Sequence, residues 1–272
     1  MGVRPPPGYL GQLDPEFQAR LEQRFATVPL EQCYWYHCVL LPDGTFIQGV
    51  WDLVENEDKY LGGIDLTDKR VLEVGPASGW ITLYMVQQRA EVVVLDIGWD
   101  LAPDLLPYRG IDLSAMRQEQ REFCARVVNS WWYLRRRWGH SARAVYAPIY
   151  DLPGDLGRYD VSVFGSILLH LRDPFLALQQ AASLTDETIV VVEPLSVPHE
   201  ERDRRVMYWN PTQGDNPNGW WQISPATIRD MLSVLGFEDS TITYNRQVYR
   251  APEFPDADAG EGINFTIVAH RP

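Results

Sequence analysis

The apolar positions of this chain change their rhythm near residue 70. Before that point the pattern is mixed. Residues 1–11 read as a loose arm. Pro15 to Ala26 sets Phe17, Leu21 and Phe25 on one helical face. Tyr34 to Leu41 and Thr45 to Ile47 are strand-like runs, and Asp43-Gly44 between them is a hairpin signal. Trp51 to Leu61 reads as a short helix and 64–69 as a loop. From Arg70 onward, short apolar runs alternate with helical stretches. Strands are predicted at Val71–Val74, Glu91–Asp96, Ala144–Tyr146, Val161–Phe164, Thr188–Val192, Thr241–Tyr244 and Phe265–Ala269. Helices are predicted at Gly79–Gln88, Ser114–Trp138, Pro174–Leu184 and Ser224–Leu235, the last with Ser224 as N-cap, Pro225 at its first position and Gly236 closing it. Such alternation implies an α/β chain with a doubly wound, mostly parallel, seven-stranded sheet. An N-terminal helix and hairpin cap is expected over 1–65, and the main domain over 66–272. An insertion at about 196–223, without periodicity, reads as a lid.

The stretch Val71-Leu72-Glu73-Val74-Gly75-Pro76-Ala77-Ser78-Gly79-Trp80 joins the first of these strands to its helix. Glycines at both ends of the turn let the backbone bend sharply and let a ligand approach it. The helix that follows aims free N–H groups and its positive end into the turn, which suits a carboxylate or phosphate. Glu73 is the unusual member: a carboxylate there repels a pyrophosphate but suits an amino group. The spacing also departs from the G-x-G-x-x-G of dinucleotide-binding turns.

Composition narrows the partners. The net charge of −13 disfavours nucleic acid. The one dense basic run, Arg135-Arg136-Arg137, reads as the solvated end of a helix. Three sparse cysteines, Cys33, Cys38 and Cys124, fit reduced thiols in the cytoplasm. Cys33, His37 and Cys38 lie close together but lack a second ligand pair, so no metal is expected. The N-terminus lacks the apolar region of a signal peptide, and no stretch is apolar enough to cross a membrane.

Three motifs in register carry a family likeness. Glu73-x-Gly75-x-x-x-Gly79, the acid Asp96 ending the second strand, and Asp160-Val161-Ser162-Val163-Phe164-Gly165 followed by His170 resemble class I S-adenosylmethionine (SAM)-dependent methyltransferases. The likeness spans roughly 65–272 in element order. It implies SAM as cofactor, S-adenosylhomocysteine (SAH) as product and no metal. It also implies cofactor-binding roles for Glu73, Gly75, Pro76, Ala77, Gly79, Asp96, Ile97, Ile149, Tyr150, Gly165 and Ser166. Glu73 would order the loop and the amino end of the cofactor, and Asp96 would accept the ribose hydroxyls. Ile149 and Tyr150 would flank the adenine, and Gly165 and Ser166 would lie under the sulfonium. Ala77 stands where a third glycine is common, which asks the loop for a less extreme backbone angle there.

A narrower likeness to tRNA wobble-uridine carboxymethyltransferases rests on Pro42-Asp43-Gly44, Leu169-His170-Leu171-Arg172-Asp173-Pro174 and Asn216-Pro217-Asn218-Gly219-Trp220-Trp221. In that branch a tyrosine precedes the histidine, and here Leu169 does. The expected activity is therefore methyl transfer to a small organic metabolite, at oxygen, nitrogen or carbon, by a cytoplasmic monomer or homodimer of a biosynthetic pathway. The alternatives are a tRNA-modifying enzyme and a SAM-binding protein without turnover. His170, just past the fourth strand, is the first candidate base, and His37 is the second, if the cap carries it over the methyl group. Candidate acceptor contacts are Trp35, Arg204, Tyr208, Asn218, Trp220 and Glu193, with lid arginines, Arg204 and Arg205, clamping an anion. Glu193 orients an acceptor hydroxyl or bonds the lid.

Overall fold

The computed structural model describes residues 11–209, 219–250 and 259–272. The cap contains α1 (Pro15–Phe25), the short strands β1 (Val39–Leu40), β2 (Phe46–Ile47) and β3 (Trp51–Asp52), and α2 (Glu57–Tyr60). Then follow β4 (Arg70–Val74), α3 (Trp80–Gln87), β5 (Glu91–Asp96), α4 (Leu113–Trp138), β6 (Arg143–Tyr146), β7 (Tyr159–Gly165), α5 (Pro174–Leu184) and β8 (Thr185–Pro194). The chain ends with β9 (Met207–Trp209), β10 (Trp221–Ile223), α6 (Pro225–Val234), β11 (Asp239–Tyr249) and β12 (Gly260–His270).

The main sheet runs β6-β5-β4-β7-β8-β12-β11-β3. The first five strands are mutually parallel, and β12, β11 and β3 pair antiparallel. The order therefore reverses between β4 and β7, and the carboxyl ends of both strands face the resulting crevice, where α/β sheets bind ligands. Alternate residues of each parallel strand enter two cores. On one face Val71, Val92, Val94, Val161, Val163, Val190 and Val192 pack under α3, α4 and the cap. On the other, Leu72, Val93, Leu95, Phe164, Ile189 and Val191 pack with Ala177, Leu178 and Ala181 of α5 and Ile228 and Leu232 of α6.

Side-chain caps fix the helix starts. Asp14 accepts from Glu16 N, Asp112 from Ser114 N and Ala115 N, Asp173 from Leu176 N and Ser224 from Thr227 N. The Asp43-Gly44 turn closes as expected, with Val39 opposite Ile47 and Leu40 opposite Phe46.

Three expectations need correction. Trp51 and Asp52 do not begin a helix: they pair with Tyr249 and Val248 and add an eighth strand to the sheet edge. Helix α2 starts only after Glu55, whose φ of +65° breaks the chain direction. The late strands are longer than their apolar centres, because β11 and β12 pair over the full run from Asp239–His270 to Tyr249–Gly260, with polar ends facing out. The insertion is not structureless, since β9 and β10 form a hairpin with Tyr208 opposite Gln222.

The basic run at the end of α4 lies at the surface, as expected, but its guanidinium groups also bind the cap. Arg135 pairs with Glu22 at 2.6 Å and Arg137 with Asp43 at 2.5 Å. Arg136 donates to the carbonyls of Phe25, Ala26 and Val28. These arginines fasten the cap to the domain. Further in, Ser130 Oγ donates to Tyr34 O at 2.6 Å, and Thr266 Oγ1 to Tyr60 O at 2.8 Å. The His37 amide donates to Ser78 Oγ at 2.9 Å, so the cap touches the glycine turn itself. Ser78 is fully buried, so Ser78→Ala would strand the His37 N–H away from water. The expected cost is about 1–3 kcal/mol of stability, read by urea unfolding. A loss below a few tenths of a kcal/mol would show that this bond does not hold the cap.

Candidate functional site

Several of the expected cofactor residues stand at the carboxyl ends of neighbouring strands: Glu73 and Gly75 at β4, Asp96 at β5, and Gly165 and Ser166 at β7. Gly75 N donates to Leu95 O at 2.9 Å, Ala147 N to Asp96 O at 2.9 Å and Ser166 N to Val192 O at 2.7 Å. These bonds carry the sheet one residue past its ends and set Gly75, Asp96, Ser166 and the segment leading to Ile149 side by side. Gly75 has φ +73°, and a Cβ there would stand 3.0 Å from Ile167 Cδ1. Gly79 has φ +87°, and its Cβ would stand 2.7 Å from the Trp131 ring. Both positions therefore need glycine. Ala77 adopts φ +48°, less extreme than either glycine but still left-handed. An L side chain held there stores strain of order 1–3 kcal/mol.

No side chain caps the start of α3, and no acid lies in its first turn. Its free N–H groups point into the turn between Gly75 and Gly79, as an anionic ligand group requires. Glu73 lies below this turn, almost wholly buried. Its Oε2 accepts from Thr82 Oγ1 at 2.5 Å, and that hydroxyl accepts from Trp131 Nε1 at 3.1 Å. Burial pushes the Glu73 carboxyl up to about 8, against the Thr82 bond and with help from Asp96. A cation beside it would favour the ionised form. Burial also raises Asp96, to about 6, opposed by the N–H groups of Gly98 and Ile97. Gly98 N lies 3.3 Å from Asp96 Oδ1. Burial, with the nearby Asp96 charge, raises the Cys124 thiol of α4 to about 12. Ile149 is buried, and Tyr150 donates to Asp104 Oδ2 at 3.1 Å while accepting from Asp173 N.

The other side of the crevice is formed by β7, β8 and the cap. His170 lies in a 3-10 turn, Leu168–His170, directly after Ser166 and Ile167. Glu193 organises that turn. Its Oε1 accepts from Leu168 N at 2.7 Å, with the amides of Leu169 and Ile167 beside it, and burial raises it to about 8. The expected bond from Glu193 to the insertion is replaced by this one. His37, within the cap, is buried, and its Nδ1 has no hydrogen-bond partner among the described residues. Burial lowers it to about 4, so the ring is neutral.

The acceptor candidates do not all meet the crevice. Trp35 packs edge-on against Tyr133. Arg204 pairs with Glu201 at 3.5 Å, Arg205 with Asp230, and the Tyr208 hydroxyl with Glu201, so none is held ready to clamp a ligand. Trp220 is buried, with its backbone N on Leu169 O at 2.8 Å and its Nε1 on Asp104 O at 3.0 Å. Asn218 lies outside the described residues. Tyr60 was not foreseen. It is buried, Ser166 lies beside its hydroxyl, and a Cβ on Gly165 would stand 3.0 Å from that oxygen. A side chain at 165 would press on that hydroxyl, and this pairing of a cap residue with a strand end has no local sequence signal.

The family model of the methyltransferase domain matches residues 54–242. The chain belongs to this family and is a methyltransferase, with the fold of the class that takes its methyl group from SAM. No curated protein matches the sequence significantly. Among solved structures, the YcgJ protein of Bacillus subtilis superposes with a TM-score of 0.53 at 11% identity, covering 80% of this chain and 98% of its own. A candidate methyltransferase of Bacillus halodurans gives 0.52 at 12% identity, over 80% and 99%. The N-terminal domain of EvdMO1, crystallised in the presence of SAH and D-fucose, gives 0.50 at 16% identity, over 97% and 100%. At these identities the likeness speaks for the fold. Among the described residues no helix is long and apolar enough to cross a membrane, and no group of three or more His, Cys, Asp or Glu side chains is placed to hold a metal.

The raised carboxyls predict an unusual pH dependence. In the folded chain Glu73 and Glu193 keep their protons up to about pH 8, whereas in the unfolded chain they lose them near the ordinary 4.5. Within this window the folded state binds more protons, so stability falls as pH rises. Urea unfolding of the ligand-free protein at about pH 6 and about pH 8 should show this fall, and Glu73→Gln should make it shallower. A fall of equal size in Glu73→Gln would mean that Glu73 is not the buried acid responsible.

Proposed function

We propose that this methyltransferase binds SAM in the crevice between β4 and β7 and methylates a small organic metabolite. One observation carries the reading. The uncapped start of α3, the buried Glu73 and the Asp96 carboxyl stand together at the strand ends. They match the carboxylate, the ammonium and the ribose hydroxyls of one amino-acid nucleoside. Pro76, Ala77 and the two glycines form the turn around the methionine part. Ile97, Ile149 and Tyr150 flank the adenine, and Gly165 and Ser166 lie below the sulfonium.

Methyl transfer is an in-line displacement, so most of the catalysis comes from holding the acceptor close and aligned. Where the acceptor must lose a proton, His170 takes it. His37 is the weaker choice, because a ring held near 4 attracts a proton poorly at neutral pH. Glu193 positions His170 by holding its turn. Tyr60, beside Ser166, closes the floor of the acceptor side.

The net charge of −13, together with the engagement of all three arginines of the basic run by the cap, favours a small acceptor over tRNA. The test is incubation with methyl-labelled SAM and two acceptor pools, small-metabolite extract and total tRNA. Label is expected in the small-molecule fraction. Label confined to tRNA would establish the RNA reading, and binding of SAM without transfer to either pool would favour a protein without turnover. Asp96→Ala should weaken SAM by about 5- to 150-fold through loss of ribose hydrogen bonds, measured by calorimetry. An unchanged affinity would remove Asp96 from the site.

A further inference from the structure

The arginines of the insertion are engaged elsewhere, but three others surround an open cleft. It measures about 500 Å³ and lies between the segment after Asp96 and the first turns of α4. Small-molecule sites span about 300–1,000 Å³, so the size suits a metabolite. Arg117, Arg121, Arg172 and Trp220 stand in its walls, with Asp100 and Asp104. None of the residues assigned above to SAM lines it.

Arg117 and Arg121 are one helical turn apart and so share a face of α4. Neither they nor Arg172 forms an ion pair among the described residues. Arg121 reaches only the neutral Gln118, at 2.9 Å. Opposing them, Asp104 is already engaged, accepting from Tyr150 and from the Arg172 amide. Trp220 supplies a fixed aromatic wall, with the Arg172 guanidinium 5.4 Å from its ring centroid. Three guanidinium groups against two carboxylates give the cleft a positive lining in a strongly acidic chain. The cleft also borders the catalytic turn, because Trp220 N bonds Leu169 O beside His170.

We propose that this cleft is the acceptor site and that the acceptor is a flat molecule bearing a carboxylate or phosphate. The proposal rests on the methyltransferase reading. Arg117 and Arg121 hold the anionic group, the planar body lies along Trp220 and Arg172, and the end to be methylated is directed toward His170.

The test is calorimetric titration of the full chain, with and without saturating SAH, using 2-naphthoate, 2-naphthyl phosphate and the neutral 2-naphthamide. At least one anion should bind, with the amide at least about tenfold weaker. The better of the two anions names the group recognised. The double variant Arg117→Ala/Arg121→Ala should weaken that anion about tenfold or more while leaving SAH affinity unchanged, and the double Lys variant should restore part of the loss. Failure of both anions to bind, equal binding of the amide, or an anion affinity unaltered in the Ala variant would overturn the proposal. Failure of SAH to bind would instead overturn the donor reading, and the titration without SAH still reports on the cleft by itself.

Discussion

Burying a carboxylate costs free energy unless something compensates the charge, and this protein sets acids at the ends of three strands, Glu73 and Glu193 buried and Asp96 half-buried. The rest of the structure answers that constraint differently at each one. Glu193 receives backbone amides and in return fixes the turn of His170. Asp96 receives the amides of its own following residues and stays the most acidic of the three. Glu73 receives only the Thr82 hydroxyl, itself held by Trp131, and so is left protonated near neutral pH. It is the least satisfied of the three and lies beside an uncapped helix start. A ligand with a cationic and an anionic group at its amino-acid end would complete both at once.

Trp131 ties this chemistry to the long helix α4. Its ring closes over Gly79, and its Nε1 orients Thr82. The same helix anchors the cap through Arg135, Arg136 and Arg137 and carries Arg117 and Arg121 beyond the sheet. One element thus supports the donor turn, the cap above it and the cleft beside it. The His37–Ser78 bond closes the circuit by joining the cap to the turn.

Much of this was legible in the sequence, for physical reasons. The parallel strands are buried on both faces, so they appear as unbroken apolar runs, and their acids mark the carboxyl ends. Caps such as Ser224 and Asp43-Gly44 act locally and could be read locally. The misread parts depend on distant partners. Trp51 becomes a strand only because Tyr249 pairs with it. The part of the exposed basic run in holding the cap was hidden because its acceptors, the carbonyls of residues 25, 26 and 28, lie about a hundred residues away. Arg204 and Tyr208 looked available because Glu201 had no assigned place. Tyr60 and the Arg117–Arg121 cleft come from tertiary placement alone.

Under the proposed function, Glu73 gives up its proton to receive the cationic end of SAM. Titration of SAM into the protein near pH 7, in two buffers of different ionisation enthalpy, counts the protons exchanged on binding. The expected result is binding with release of close to one proton, a release that Glu73→Gln abolishes. No binding by the folded protein, or a proton count unchanged in Glu73→Gln, would contradict it.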